Sequence, residues 1–384
     1  MSPELPHASG AHARIQLRHG PVSIEVVSDD APSLAWLAEF LAPAFQPGPP
    51  SRRAHHRAVF TVAPALHASL RRRLRAAPPR ELEGFGYDGS FSRHAVVRDA
   101  QGLTWAHDRG NAVFLGVDDD ARTVVVAARH AGDKPRVALM RVLRELAVSA
   151  QLRSGRLPVH ASAFAHRGGA VLICGPKRAG KSSLLVHALA CGGAFVSNDR
   201  LYVDVAGRPT ATAMPTIVML RDGTLRLFPS LRRDYERARY DRSRTLAECA
   251  PGVARPRPRA APGFDRPGLS PAQFCDLLGA PMRGAAPVRA LLFPRIDPRT
   301  GSLALRRLTA AGAQTRLARS LMKPSHPTRL SALFSPARRR EIVPAGAERD
   351  ACRRLASRVP AFECRLGPRA YETDLLAALR AELS

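Results

Sequence analysis

The sequence lacks a long apolar run: nowhere in its 384 residues do about 18 apolar residues follow one another. A helix needs about that length to cross a bilayer, so no membrane span is expected. The first ten residues also lack a basic segment followed by an apolar one, the pattern of a secretory signal. We therefore expect a cytoplasmic protein without a membrane partner.

Cysteine and aromatic residues are both scarce. The six cysteines form no Cys-x-x-Cys pair and show no metal-ligand spacing, so we interpret them as reduced apolar residues. Aromatic residues make up 5% of the chain, and the core must therefore be built mainly from Leu, Val, Ala and Ile. The chain of 384 residues is long enough for two domains or one large one. Its apolar fraction of 45% allows a sizeable core.

Lysine is almost absent, although the net charge is +27. Only four of the 59 basic residues are lysines, and arginine is spread along the whole chain together with Ala and Pro. A dispersed charge attracts polyanions without reading a sequence, so specific nucleic-acid binding is not expected. An acidic protein or peptide partner fits this surface at least as well as a nucleic acid does. The sequence also leaves a homo-oligomer open.

The first 130 residues predict an α+β domain of unknown function. A strand over 22–27 and a helix over 32–44 are followed by short alternating runs at 58–62, 94–97, 112–117 and 123–128, which favour an antiparallel sheet. Asp118, Asp119 and Asp120 lie between two of these runs and are interpreted as a solvated turn. Residues 131–157 predict a connecting helix with Asp133 at its start and Gly155 at its end.

Residues 158–384 predict an α/β domain with a mixed sheet. Strands are expected at 159–164, 170–174, 194–196, 201–205, 217–220, 225–228 and 288–296, with a helix over 371–383. The run at 170–174 is apolar throughout, as in a strand buried on both faces. A segment rich in Pro and Arg at 251–271 is interpreted as an insertion, either a lid or a disordered loop.

The clearest motif follows the buried run and fits the Walker A pattern, Gly-x-x-x-x-Gly-Lys-Ser. In such a loop successive backbone N–H groups point at phosphate oxygens, and the next helix adds the positive end of its dipole. Lys181 is expected to reach the β- and γ-phosphates of ATP, and the Ser182 hydroxyl to bind Mg²⁺. The predicted nucleotide-binding residues are Gly175, Pro176, Lys177, Arg178, Ala179, Gly180, Lys181, Ser182 and Ser183.

Asp199 ends the strand that follows the helix. The carboxyl ends of parallel strands share one sheet edge, so Asp199 is expected beside the loop, to hold Mg²⁺ or to accept a proton. An ordinary turn aspartate is the alternative. His160 begins the second strand before the loop and, taken alone, is interpreted as a buried structural residue. The chain has no Asn-Lys-x-Asp and no Leu-Ser-Gly-Gly-Gln, which argues against a GTPase and a transporter ATPase.

Three segments together resemble the HPr kinase/phosphorylase superfamily, which shares a nucleotide-binding fold with phosphoenolpyruvate carboxykinase. They are His160-Ala161-Ser162-Ala163, the Walker A loop, and residues 192–199, ending in Ser197-Asn198-Asp199. The resemblance is closest to the divergent HPr-kinase-related proteins, and its motifs span about 45 residues, from 159 to 203. It implies phosphoryl transfer to a serine hydroxyl of a protein or peptide, and it gives His160 a functional role.

The chain departs from that family at Asn198, where the family has the first of two adjacent aspartates and uses it as the proton acceptor. Asparagine cannot take up this role, so Asp199 acts as the base or the base lies elsewhere. The family's downstream glutamate metal ligand has no obvious match, which disfavours the reverse reaction and HPr itself as substrate.

We therefore expect an ATP-dependent kinase that uses Mg²⁺, with Lys181, Asp199 and His160 as catalytic residues and Ser182 and Asp199 as metal ligands. Two alternatives remain open: a nucleotide-binding regulatory protein without phosphotransfer, and a kinase that acts on a sugar or an amino acid.

Overall fold

The computed structural model describes residues 12–48, 54–76, 80–85, 91–118, 122–238, 240–249, 268–322 and 346–383. Their contacts divide the chain into two units. The first holds the described residues within Met1–Leu41 and Phe45–Ser154, and the second those within Ala42–Ala44, Gly155–Lys323 and Val343–Ser384. The chain is thus an α/β protein with mixed sheets, as the sequence predicts at this level. No helix among the described residues has both the length and the apolar character needed to span a membrane.

The elements of the first unit follow one another along a single mixed sheet. They are β1 (Ala13–His19), β2 (Val22–Ser28), α1 (Ala31–Leu41), β3 (Gln46–Pro47), β4 (His56–Val62), α2 (Pro64–Ala76), β5 (Arg80–Phe85), β6 (Phe91–Arg98), β7 (Thr104–Asp108), β8 (Val113–Val117), β9 (Thr123–Ala128) and α3 (Asp133–Arg153).

The strand order of this sheet is β3-β1-β2-β4-β9-β8-β7-β6-β5. The expected antiparallel arrangement is wrong at the centre of the sheet, where β4 pairs in parallel with both β2 and β9. Helices separate these strands along the chain, and parallel neighbours need such crossover connections. Helix α3 packs against β2, β4 and β9. Its predicted buried face is confirmed, since Leu139, Val142, Leu143, Leu146 and Ala150 are all buried.

The second unit contains the glycine-rich motif. Its elements are β10 (Leu157–His166), β11 (Gly169–Cys174), α4 (Lys181–Ala190), β12 (Ala194–Ser197), β13 (Arg200–Asp204), β14 (Thr210–Ala213), α5 (Asp222–Leu227), α6 (Pro229–Ala238), α7 (Pro271–Leu278), β15 (Ala285–Ile296), β16 (Leu303–Arg307), α8 (Ala310–Ala318), α9 (Ala347–Arg358), β17 (Ala361–Leu366) and α10 (Leu375–Leu383), with short 3₁₀ helices at Ala247–Cys249 and Ala370–Glu372.

The sheet of the second unit runs β11-β10-β13-β14-β15-β17-β16, with β12 added beside β10. Strand β15 pairs in parallel with β11 and with β17, so the carboxyl ends of these three strands lie at one edge. Strand β12 is antiparallel to β10, as β11 is, and therefore runs in the same direction as β11. The ends of β11 and β12 thus lie at the same edge although β10 separates them.

One face of this sheet packs against α4. The helix is buried over Ser183 to Leu189, and its leucines join Phe164, Ile173, Leu292 and Phe362 in one apolar cluster. Every residue of β11 is buried, which confirms the strand predicted from its uninterrupted apolar run. This packing holds both ends of the intervening loop, residues 175–180.

Two predicted strands in the second unit are wrong. Residues 225–228 belong largely to helix α5, in which Leu225 is buried while Leu227 is 43% exposed. A strand would put these two leucines on one face, whereas a helix turns them apart. Residues 217–220 form only an isolated bridge, in which Val218 and Leu269 exchange two backbone hydrogen bonds of 2.9 Å.

Other predictions are met in part. The helix expected over 371–383 begins at Leu375, and Ala370–Glu372 is a short 3₁₀ helix. Asp118 accepts backbone hydrogen bonds from Arg122 and Thr123, as in a turn, while Asp119 and Asp120 lie outside the described residues. Residues 251–267 of the predicted insertion also lie outside them, and residues 268–271 lead into α7. All six cysteines are free thiols.

Candidate functional site

The glycine loop, residues 175–182, joins the carboxyl end of β11 to the start of α4. Gly180 has a φ of +96°, in the left-handed region that favours glycine. A Cβ atom at this position would also lie 2.9 Å from Cδ1 of Leu366 on β17. The tight turn into α4 therefore favours the second glycine of the motif both for its backbone angle and for the close approach of the Leu366 side chain.

Helix α4 begins without a side-chain cap, since no side chain of its N-cap residue Gly180 can accept a hydrogen bond. The first N–H groups of a helix have no partner within the helix. They carry the positive end of the helix dipole and suit an anion. The start of α4 thus offers backbone donors at the position where the sequence predicts the phosphates.

Lys181 lies over the loop. Its ammonium group donates hydrogen bonds to the carbonyl oxygens of Gly175 and Pro176, at 2.7 and 3.0 Å. Burial lowers the pKa of Lys181, and the nearby Asp199 carboxylate acts against that shift. Asp199 thus lies within electrostatic reach of the Lys181 ammonium group.

Asp199 and His160 form a pair at this edge of the sheet. The His160 Nδ1 atom lies 3.2 Å from one carboxylate oxygen of Asp199, and Nε of Arg200 lies 3.4 Å from the other. Burial lowers the pKa of His160, Asp199 raises it, and Lys181 and Arg200 lower it further. The net direction favours the neutral imidazole. Because a carboxylate only accepts, the proton of that imidazole lies on Nδ1 and a lone pair on Nε2.

Asn198 is held by its neighbours instead of facing a substrate. Its side-chain amide donates to the carbonyl oxygen of Ile217 at 3.2 Å, and its oxygen accepts from the Thr216 hydroxyl at 2.8 Å. Its backbone carbonyl accepts from the Ser162 hydroxyl at 2.7 Å. An aspartate here would oppose the Ile217 carbonyl, because a carboxylate cannot donate. The surroundings of residue 198 therefore select an amide.

The two serines at the start of α4 differ. Ser182 is exposed, and its hydroxyl is accessible to a metal ion. Ser183 is buried, and its hydroxyl lies 3.1 Å from that of Thr224 on α5. A second hydrogen bond, between Ser183 and Tyr371, acts to lower the pKa of Tyr371, against the increase that burial causes. The side chain of Ser183 is thus structural, and only its backbone N–H remains for the predicted binding role. Lys177 and Arg178 are exposed on the loop.

Sequence reasoning missed the residues that support the loop from elsewhere in the chain. Leu366 approaches Gly180, and Pro294 lies 3.8 Å from the position of a Cβ at Gly175. Tyr371 packs edge-on against His187 and Phe228, with ring centroids 5.5 and 5.3 Å apart. These residues are far apart in the sequence, and no local pattern marks them as neighbours of the motif.

The residues present fit a magnesium ion. Mg²⁺ is bound in proteins by one or two oxygen side chains, with substrate phosphates and waters completing its octahedron. Ser182 supplies an exposed hydroxyl and Asp199 a carboxylate that is 37% exposed. Within the described ranges, no cluster of three or more His, Cys, Asp or Glu side chains forms a complete metal site. Ser182 and Asp199 match the one or two side-chain oxygens that Mg²⁺ takes from a protein.

No protein-family model matches the chain. A search of curated proteins likewise finds no matching relative.

Proposed function

We propose that the protein is an ATP-dependent kinase that transfers the γ-phosphoryl group to a serine hydroxyl of a protein or peptide. The observation that carries the proposal is the meeting of three features at one sheet edge. These are the uncapped start of α4, the Lys181 ammonium over the glycine loop, and the paired side chains of Asp199 and His160.

The chain's own residues account for binding. Backbone N–H groups at the start of α4 hold the phosphates, and Lys181 exchanges its two loop carbonyls for phosphate oxygens. Ser182 and Asp199 would hold Mg²⁺, which neutralises the triphosphate when bound. Phosphoryl transfer depends mainly on such positioning and charge stabilisation.

Two assignments of the proton acceptor fit the Asp199–His160 pair. In the first, Asp199 accepts the proton of the attacking hydroxyl and His160 orients the Asp199 carboxylate. In the second, Asp199 holds the metal and the lone pair on His160 Nε2 accepts the proton. Asn198 has neither role, because its amide is engaged by Thr216 and Ile217. That engagement is also the observation that favours the alternative of a nucleotide-binding regulatory protein.

Calorimetry with ATP and Mg²⁺, followed by labelling of cell lysate with γ-labelled ATP, tests the proposal. We expect binding, and label in a macromolecule. Asp199→Asn should lower the labelling by at least about 100-fold and leave ATP binding largely intact. Asp204→Asn, at the other end of β13, removes the same charge and should label as the wild type does.

The outcomes separate the alternatives. Failure to bind ATP would refute the nucleotide site altogether. Binding without any label would identify a regulatory protein. Label confined to molecules below a few kilodaltons would identify a small-molecule kinase, and full labelling by Asp199→Asn would remove Asp199 from the mechanism.

A further inference from the structure

A buried glutamate on β17 gathers three arginines around it. Glu363 has a side chain that is 4% exposed, and its two oxygens accept hydrogen bonds from Arg306, Arg316 and Arg365 at 2.9, 3.0 and 3.1 Å. The arginines come from β16, α8 and β17. Burial would raise the pKa of Glu363, but the hydrogen bonds and charges of the arginines lower it, and the lowering prevails. The carboxylate is therefore ionised at neutral pH.

The cluster holds more positive charge than one carboxylate can balance. Three guanidinium groups against one carboxylate leave a net charge of +2. The arginine side chains are 60%, 37% and 37% exposed, so their outer parts face solvent. A guanidinium has five N–H donors, and among the described residues each of these three donates to no protein acceptor other than Glu363. The remaining donors are available to a further anion.

A fourth arginine extends the cluster toward the glycine loop. Arg295 on β15 is exposed and lies directly opposite Arg365 in the register of the parallel pair. Partners on adjacent strands lie about 5 Å apart and point to the same face. Pro294 and Leu366 are the neighbours of Arg295 and Arg365 along these strands, and both approach the glycine loop. Successive residues of a strand point to opposite faces. The arginines therefore lie on the opposite face of the sheet, at the edge that carries the loop.

We infer that these four arginines, Arg295, Arg306, Arg316 and Arg365, form a docking site for an acidic segment of a polypeptide. Glu363 fixes three of the guanidinium groups in advance, which reduces the entropy lost when carboxylates bind. The inference deepens the proposed function, and rests on it only in taking the segment to belong to the phosphoryl acceptor.

A polypeptide suits the patch better than a nucleic acid. A guanidinium binds a carboxylate through its N–H donors, and Glu363 already shows this recognition with three of the four arginines. Single-stranded nucleic acids are instead held by exposed aromatic side chains along a basic groove, and the aromatic residue nearest to Glu363 in register, Phe293, is buried.

Fluorescence anisotropy without nucleotide tests the inference, with a short fluorescein-labelled Glu-rich peptide as the probe. Arg295→Glu and Arg306→Glu should each weaken binding by at least about fivefold, because they place a negative charge in the patch. Arg233→Glu on the exposed face of α6 makes the same change in net charge and should bind within about twofold of the wild type. Thermal unfolding checks that Arg306→Glu is folded, while Arg295 is exposed and makes no bond to Glu363.

Equal weakening by Arg233→Glu would show a diffuse charge effect and overturn the inference, as would unchanged binding by Arg295→Glu. Tighter binding of a single-stranded oligonucleotide that depends on the same arginines would also overturn it, in favour of a nucleic-acid site. Since the assay contains no ATP, these failures are distinct from a failure of the nucleotide site, which calorimetry reports.

Discussion

Helices α4 and α7 lie in the same unit but begin in opposite ways. At the start of α7, Ser270 accepts from the backbone N–H of Gln273 at 3.1 Å, and Gln273 accepts from that of Ser270 at 3.0 Å. Both residues are buried, and Pro271 occupies the first turn. This capping box satisfies donors that the helix itself cannot. At the start of α4, Gly180 provides no such acceptor.

The difference shows that one physical problem has two solutions in this fold. A helix can satisfy its first N–H groups with its own side chains, which stabilises the fold, or leave them for a ligand. An ammonium group and a carboxylate–imidazole pair lie near the start of α4. Substitutions at the two starts should therefore separate ligand binding from folding.

Among substitutions at the two helix starts, Lys181→Ala should have the largest effect on Mg·ATP affinity. It removes the ammonium group that donates to the loop carbonyls of Gly175 and Pro176, and loss of hydrogen bonds to a charged ligand should weaken Mg·ATP binding by about 10- to 100-fold. Lys177→Ala is the matched control, since Lys177 lies exposed on the same loop, and it should change the affinity by about threefold or less. Calorimetry measures both, and equal losses would deny Lys181 its special position.

The next effect concerns acidity at the loop. Because burial keeps the pKa of His160 below its usual 6.5, the imidazole is neutral at pH 7 and gains its proton only as the pH falls below 6.5. The turnover rate should fall over that acidic range. A protonated His160 has no lone pair to accept a proton, and its positive charge makes the neighbouring Asp199 carboxylate a weaker base.

His160→Asn should lower turnover at pH 7.5 by about tenfold and remove the acidic limb of the rate profile. Ser270→Ala, at the start of α7, should retain the wild-type profile. An unchanged acidic limb in His160→Asn would assign the titration to another group.

The sequence could predict the site where its pattern is local. The apolar run before the loop, the glycine spacing and Lys181 are contiguous, so β11 and the start of α4 follow from them directly. Asp199 could be placed beside the loop because strand direction alone brings it to that edge. The pairing of His160 with Asp199 needed the structure, since β10 is antiparallel to β11 and its first residues, not its last, reach the site.

Other features depend on contacts that no local pattern records. Helix α2 was missed because it is rich in arginine and buries only His67 and Leu70. The strand predicted over 225–228 is wrong, because these residues lie largely in helix α5, whose Leu225 packs in the apolar cluster around α4. Glu363 carried no signal either, since its three arginines lie on separate elements.

A glycine comparison sharpens the contrast further. Gly180 before α4 and Gly279 after α7 both have positive φ, at +96° and +60°. A Cβ at Gly180 would lie 2.9 Å from Leu366, whereas no atom lies within 4 Å of one at Gly279. Gly279→Ala should therefore cost only the backbone strain, about 1 kcal/mol of unfolding free energy, with ATP binding unchanged.

Gly180→Ala should cost about 2 kcal/mol, because the Leu366 side chain must move in addition to the backbone strain, and it should weaken ATP binding as the loop moves. Chemical denaturation and calorimetry measure the two quantities. Equal stability losses with equal affinities would show that the loop tolerates a side chain at this turn.

The smallest effect is expected at Ser270, and it concerns folding alone. Ser270→Ala removes one half of the capping box and leaves the backbone N–H of Gln273 without its acceptor, which should cost about 1 kcal/mol of unfolding free energy. Ser270→Thr keeps a hydroxyl at the cap and should recover most of that loss. Neither variant should alter ATP affinity, because the donors at the start of α7 are already occupied by the protein. A change in affinity as large as that of Lys181→Ala would mean that the two helix starts are coupled, and that the division between a start built for folding and a start left for a ligand does not hold.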